Sequence, residues 1–358
     1  MKKHLLSFAI LMASCSLLWA QKAAIHYVEL PVHGKLFDGP HKYHRVDTAK
    51  YNDIPARVKY LYTNSAGLFV SFKTRAPELY AKWCVTDKNV NLNLTAIAVK
   101  GLDVYIKNAE GKWQYAISKG TAKECDQQKL AEYLGEDEKE FLVYLPLYDE
   151  TRKLEFGVPE GYDIQPLPNP FLTDIVVYGS SIVHGASASR AGMAYPAIMS
   201  RRTGLNFVNF GVSGSAKIEK EIAHMLGDLN PELYILDCVP NSSPEQIEER
   251  TIYFVEYLRS KHPNTPIVMI PTITRELSFF NQNWNERNRK QNEKWKAEYE
   301  KLIAKGVKNL YYLDDDFLLG HDHEASTDGI HPSDLGFMRM VEKIEPFVLE
   351  VMRKHDLL

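Results

Sequence analysis

The sequence predicts a three-layer α/β/α domain built on a parallel sheet, preceded by an antiparallel β-sandwich. Three observations carry that prediction. From about residue 25 to 165, apolar residues recur with a period of two, as in strands with one buried face. From residue 174 onward, short apolar runs alternate with stretches of helical period, as in a parallel sheet covered on both sides. Between the two regions, Pro166, Pro168 and Pro170 fall close together. Proline lacks the N–H that a sheet interior needs, so this stretch reads as a linker. The expected organisation is a leader at 1–20, a sandwich at 21–165, a linker at 166–173 and the α/β domain at 174–358.

Each element follows from its own pattern. Leu102, Val104 and Ile106 alternate with Asp103, Tyr105 and Lys107, and Trp113, Tyr115 and Ile117 alternate with Gln114, Ala116 and Ser118. Residues 108–111, Asn-Ala-Glu-Gly, form the turn between these two strands. Phe141, Val143, Leu145 and Leu147 line one further run, and Leu154, Phe156 and Val158 the next. Hardly any helix is expected in this half. In the second half, strands are expected at 174–178, 205–210, 233–238, 266–270 and 309–313. Helices are expected at 193–202, 217–228, 244–261, 285–305 and 333–352.

The first twenty residues read as an address. Lys2, Lys3 and His4 form a basic start, an apolar run follows from Leu5, and it ends at Leu18-Trp19-Ala20. This is the pattern of a secretory signal cleaved after Ala20. The run is short for a membrane span and is interrupted by Ser7, Ser14 and Ser16. A lipid attached at Cys15 is the alternative, since Met-Ala-Ser-Cys resembles a lipobox. The mature protein is therefore expected to be secreted or periplasmic, with no integral membrane segment. Without Cys15, the cysteines Cys84, Cys125 and Cys238 remain, an odd number. Cys84 and Cys125 can pair in an oxidising compartment, and Cys238, in an apolar run, reads as a buried thiol. A net charge of −3, from 43 Lys and Arg against 46 Asp and Glu, speaks against a nucleic-acid-gripping surface.

In parallel sheets, ligands bind at the carboxyl ends of the strands, and four polar motifs sit there. After the first strand comes Gly179-Ser180-Ser181-Ile182, which puts a serine hydroxyl at a helix start. After the second comes Asn209-Phe210-Gly211-Val212-Ser213-Gly214, a turn able to offer a backbone N–H to an anion. After the third comes Val239-Pro240-Asn241-Ser242, with a side-chain amide. Near the C-terminus comes Asp328-Gly329-Ile330-His331-Pro332. An acid three residues before a histidine can orient the ring and leave its other nitrogen free as a base. Each motif alone is also a turn or a helix cap. Together they supply a nucleophile, oxyanion donors, a base and an orienting acid.

Residues 174–345 resemble the SGNH/GDSL hydrolases, whose Gly-Asp-Ser-Leu block appears here as Gly-Ser-Ser-Ile. The resemblance implies a three-layer, flavodoxin-like fold and a serine esterase working through an acyl-enzyme. It implies Ser181 as nucleophile, His331 as base, Asp328 as the third triad member, and Ser181, Gly214 and Asn241 as the oxyanion hole. The third block departs from the family's usual Gly-Gly-Asn-Asp. Gly101-Leu102-Asp103-Val104-Tyr105 resembles the Gly-x-Asp-Leu-Tyr signature of a β-rich domain fused to such hydrolases in gut Bacteroidota and relatives. Val183 stands where the Gly-x-Ser-x-Gly elbow of ordinary α/β-hydrolases needs glycine.

The expected reaction is removal of a short acyl group, acetyl, from an acylated small molecule or glycan, with no cofactor and no nucleic-acid partner. Arg275, Phe279, Phe280 and Trp284, after the fourth strand, are the candidate substrate-binding residues, because arginine bonds hydroxyls and aromatic rings stack on sugars. A lipid acylhydrolase, or a carbohydrate-binding protein with a silent hydrolase domain, are the alternatives. No metal site is expected. His321-Asp322-His323-Glu324 lies in a loop without metal-ligand spacing, and the basic stretch at 285–305 is offset by Glu286, Glu293, Glu298 and Glu300.

Overall fold

A computed structural model describes residues 24–86, 88–315 and 317–358. The expected leader at 1–20, its expected cleavage point and Cys15 lie outside the described residues.

The N-terminal half comprises β1 (Ile25–Val28), α1 (Ala56–Tyr62), β2 (Phe69–Thr74), β3 (Leu79–Val85), α2 (Ala96–Lys100), β4 (Leu102–Lys107), β5 (Trp113–Lys119), β6 (Cys125–Ala131), β7 (Lys139–Tyr144), β8 (Thr151–Pro159) and β9 (Gln165–Pro166). Its strands form two antiparallel sheets, ordered β1-β8-β3-β6 and β5-β4-β7-β2-β9. Phe72, Trp83, Val104, Phe141 and Phe156 fill the space between them. Cys84 and Cys125 face each other across β3 and β6 and are disulfide-bonded. The β4–β5 turn closes as expected, the Asn108 side chain accepting the N–H groups of Glu110 and Lys112.

Three features differ from the sequence reading. Two short helices interrupt the strands. In α1 the buried Val58, Leu61 and Tyr62 are spaced by three and four, a helical period hidden in a region read as period two. The proline-rich stretch is not wholly a linker, because Gln165 and Pro166 add to β2 as an edge strand, where a missing N–H is tolerated. Finally, β4 does not alternate buried with exposed: Leu102, Asp103, Val104 and Tyr105 are all buried. The cause is that its sheet packs on both faces. Phe69, Tyr105, Leu142 and Tyr144 share a core with Ile175, Val177 and Tyr195 of the second half.

That half comprises β10 (Leu172–Gly179), α3 (Ser181–His184), α4 (Tyr195–Thr203), β11 (Leu205–Gly211), α5 (Lys220–Gly227), β12 (Leu233–Asp237), α6 (Pro244–Lys261), β13 (Ile267–Met269), α7 (Gln282–Ala304), β14 (Leu310–Tyr312) and α8 (Asp334–Lys354). The strands form one sheet in the order β11-β10-β12-β13-β14, all parallel. β11 and β12 are buried throughout, as a sheet covered on both faces requires. The chain leaves β10 toward β11 on one side and later returns to β12 on the other, so the crevice beyond β10 is a topological switch point. α6 starts at a capping box of Ser243 and Gln246. α7 starts three residues before the expected 285, because the Asn281 side chain caps the N–H groups of Asn283 and Trp284. Cys238 is buried and unpaired. Among the described residues no helix is long and apolar enough to cross a membrane.

Candidate active site

The switch point is built from backbone outward. β10 ends at Gly179, where a Cβ would lie 2.3 Å from both the Asp237 carbonyl oxygen and the Val183 side chain. Only glycine lets β10, β12 and α3 approach that closely. Ser180 caps α3, its hydroxyl accepting the Ile182 N–H at 3.2 Å. Ser181 is then the first helical residue, with an N–H that has no intrahelical acceptor. Its Oγ lies 3.0 Å from His331 Nε2.

His331 is held by its own loop. The His331 ring Nδ1 is 2.8 Å from Asp328 Oδ2, and the backbone N–H groups of Ile330 and His331 donate to Oδ1 at 2.9 and 2.7 Å. The Ser326 hydroxyl donates to the His331 carbonyl and accepts the Gly329 N–H, closing the turn. Burial alone would raise the Asp328 carboxyl, but the hydrogen bonds from the His331 ring and backbone outweigh it and hold the group at about 2. An ionised carboxylate only accepts, so Nδ1 carries the ring proton and Nε2 is free to take the serine proton.

The other strand ends close over the same space. Ser181, Ile182, Ser213, Gly214, Lys217, Pro240, Asn241, Arg275, Trp284, Arg287, Ile330 and His331 line a cleft of about 480 Å³. Gly214 sits in the left-handed region at φ +69° and is exposed. The Asn241 Oδ1 accepts the Ala216 N–H at 3.4 Å, which fixes the orientation of the amide. Asn209 ties the first two turns together, its Nδ2 donating to the Val183 carbonyl at 2.7 Å and its Oδ1 accepting the Gly211 N–H at 2.9 Å. A serine, an imidazole poised by a carboxylate, and donors across a cleft are together able to attack a carbonyl and hold the resulting oxyanion.

Residues 173–349 match the GDSL-like lipase/acylhydrolase family, and residues 19–164 match the N-terminal domain that accompanies SGNH-hydrolase-type esterases. A crystal structure described as a GDSL-like lipase from Bacteroides ovatus is 50% identical, covers 92% of this chain and 98% of its own, and superposes with a TM-score of 0.91. The chain belongs to the GDSL-like lipase/acylhydrolase family. It is an SGNH-type ester hydrolase. Its fold is shared with the salicylyl-acyltransferase SsfX3 of a tetracycline biosynthetic pathway (17% identity, 92% and 96% coverage, TM-score 0.71). It is also shared with a family two carbohydrate esterase from Cellvibrio japonicus (13% identity, 92% and 99% coverage, TM-score 0.61). No curated protein matches it.

In this GDSL-like hydrolase, the sandwich reaches the catalytic loop, which the sequence reading missed. Asn93, in the loop before α2, donates its Nδ2–H to Asp328 Oδ2 at 2.9 Å. That loop is pinned to the other half, with Ser187 donating to the Asn93 carbonyl at 3.0 Å and Thr95 to the Ser189 carbonyl at 2.6 Å. The Gly-x-Asp-Leu-Tyr signature is the docking face. Asp103, 1% exposed, accepts the Gly192 N–H at 2.7 Å, Arg190 Nη1 at 2.8 Å and the Ser118 hydroxyl at 2.8 Å. Arg190 also bonds the Tyr105 hydroxyl. Buried Arg45 grips the second turn through the carbonyls of Asn209 and Gly211, at 3.1 and 2.8 Å.

Of the four residues expected to bind substrate, Arg275 and Trp284 line the cleft, while Phe279 and Phe280 are not among its lining residues. Phe280 is exposed and Phe279 packs edge-on against His323. Arg275 donates to the Pro240 carbonyl at 3.1 Å, so it also braces the turn that carries Asn241. The 321–324 tract spreads to separate partners: Asp322 pairs with Arg339, and His323 with Glu276 at 2.9 Å. Among the described residues no group of three or more His, Cys, Asp or Glu is placed to hold a metal ion.

Proposed function

We propose that this hydrolase removes short acyl groups, acetyl above all, from carbohydrate outside the cytoplasm. The Ser181 hydroxyl attacks the ester carbonyl carbon as His331 takes its proton. The oxyanion is held by the N–H groups of Ser181 and Gly214 and by the Asn241 amide. His331 then protonates the departing sugar oxygen, and a water activated by the same ring hydrolyses the acyl-enzyme. The observation carrying the reading is the lining of the cleft. Beside the Ser181–His331 pair it holds three aliphatic side chains, Ile182, Pro240 and Ile330. Long acyl chains need a continuous apolar groove, whereas hydroxyls suit the amide, arginine and indole present. The family two carbohydrate esterase of similar fold fits this reading as an analogy.

Residues 1–20 support export, and a Cys84–Cys125 disulfide suits an oxidising compartment. Two measurements test the proposal. Across p-nitrophenyl esters, kcat/KM is expected to be highest for acetate and to fall steeply by octanoate, and acetate is expected to be released from acetylated polysaccharides. A rise toward long chains would replace this reading with a lipid acylhydrolase. For export, the mature chain isolated from its native host is expected to begin at Gln21.

A further inference from the structure

The charged lining of the cleft is positive, and the carboxylate nearest to it, Asp328, is engaged by the His331 ring and loop. Lys217, Arg275 and Arg287 line it, and among the described residues no Asp or Glu does, in a chain whose net charge is −3. Local positive charge in a narrow cleft concentrates anions whatever the overall sign of the protein.

Among the described residues, none of the three cations has a carboxylate partner. Helix α7 carries six basic residues, Arg287, Arg289, Lys290, Lys294, Lys296 and Lys301. Arg289 and Lys290 pair with Glu286, Lys294 with Glu248, Lys296 with Asp314 and Lys301 with Glu298. Arg287 forms no ion pair with a described residue, and it is the one that lines the cleft. Lys217 likewise has no acidic partner among the described residues. The acid nearest to it in sequence, Glu219, instead accepts the Lys217 backbone N–H at 3.0 Å and the Tyr178 hydroxyl at 3.4 Å. Arg275 is 2% exposed, and its acceptors are neutral: the Asn288 and Gln291 side chains and the Pro240 carbonyl. Burial, and then repulsion from Arg287, lower its guanidinium to about 10. A buried cation with no counter-ion is costly unless an anion arrives. Arg45 is the internal contrast. It is equally buried and likewise bonded to neutral carbonyl oxygens, but it is not among the residues lining the cleft.

The two arginines also flank an aromatic ring, Arg275 at 5.2 Å and Arg287 at 5.8 Å from the Trp284 centroid. Planar guanidinium forks match a carboxylate, and an indole beside them matches a sugar ring. We propose that the alcohol part of the substrate is a uronic-acid glycan. In this assignment Lys217 and Arg287, with Arg275 behind them, bind the uronate carboxylate while Ser181 attacks the neighbouring acetyl ester. The proposal rests on the esterase reading above and narrows its substrate.

The test keeps the two apart. Turnover of p-nitrophenyl acetate by the wild-type protein reports on the esterase reading alone. The subsite is read as a ratio of kcat/KM for acetate release from acetylated polygalacturonate over the same polymer with its carboxylates methyl-esterified. The ratio is expected to be about tenfold or more at low ionic strength, the usual scale for a charge-assisted contact, and to shrink as salt is added. In Lys217→Ala/Arg287→Ala it is expected to collapse toward one. Oligogalacturonate is expected to inhibit more strongly than a sulfated oligosaccharide of equal length. A wild-type ratio near one, a ratio unchanged in the double variant, or stronger inhibition by the sulfated oligosaccharide would each overturn the uronate assignment. None of these would touch the esterase reading if p-nitrophenyl acetate is still cleaved.

Discussion

The two halves of the molecule meet the catalytic site in different ways. The α/β half contributes groups that face the cleft from strand ends: Ser181 after β10, Gly214 after β11, Asn241 after β12, and His331 from the loop before α8. The sandwich contributes groups that stand one step behind: Asn93 on the far side of Asp328, and Arg45 beneath the turn that leads to Gly214. The first set can touch the reacting atoms. The second acts by holding the first in place. Among the described residues the sandwich lines no part of the cleft, so its route to the site runs through these hydrogen bonds.

The largest losses are expected at the strand ends. Ser181→Ala is expected to reduce kcat by ~10³–10⁶, as other removals of a catalytic nucleophile do. Thermal stability should be nearly unchanged, because the Ser181 hydroxyl bonds the His331 ring, which its own loop already holds in place. Steady-state kinetics on p-nitrophenyl acetate, with a melting curve, check both parts. Asn241→Ala is expected to cost ~10²–10³ in kcat, the usual effect of deleting an oxyanion donor. A loss below tenfold would make Asn241 a turn residue, since its Oδ1 bond to Ala216 would then be its whole role.

The same division explains what the sequence disclosed. All five parallel strands and the four turns that meet at the cleft were legible, because a strand buried on both faces reads as an apolar run and the polar motif follows it directly. Ser181, Asp328 and His331 meet as expected, since Asp328 and His331 are three residues apart and need only one tight loop. Asn93 gave no signal. It is a single polar residue in a loop, and its partner Asp328 lies 235 positions away. Asp103 was visible as part of a signature, but its alternation with Leu102 and Val104 suggested an exposed face. Its true environment depends on a second packing partner, which no local period can reveal. The helices α1 and α2 were missed for a related reason, being too short to show a period against the strands around them.

Asp103 tests the sandwich half by stability rather than rate. It accepts a buried backbone N–H, the Ser118 hydroxyl and an arginine, so Asp103→Ala leaves the Gly192 N–H without its acceptor and Arg190 with the Tyr105 hydroxyl and no carboxylate. Removing one partner of a buried ion pair typically costs about 3 kcal/mol. Denaturant unfolding of Asp103→Ala is therefore expected to show a lower midpoint. If the two halves depend on each other as their shared core implies, both should unfold in one transition. A second, separate transition would show that they fold independently.

Asn93 should give the smallest effect and the sharpest test of the comparison, because it touches Asp328 and does not line the cleft. Hydrogen bonds to a charged group contribute ~1.5–3 kcal/mol, and this exposed one belongs at the low end, so Asn93→Ala is expected to lower kcat by about tenfold with KM little changed. A loop that merely fills space would give the opposite ranking of two variants. Asn93→Asp keeps the shape of the side chain but sets a second carboxylate against Asp328, so it should be worse than Asn93→Ala. A space-filling role would make Asn93→Asp the milder of the two. The pH dependence has a definite sign as well. Asp328 sits at about 2, below its ordinary value of about 4, so its hydrogen bonds stabilise the fold above that ordinary value and cease to do so as pH falls toward 2. Asn93 is a further donor to this carboxylate, and without it the stabilisation available above the ordinary value is smaller. The acid-unfolding midpoint of Asn93→Ala is expected to lie above that of the wild type. An unchanged midpoint together with an unchanged kcat would confine the sandwich to docking and leave the α/β half in sole charge of the triad.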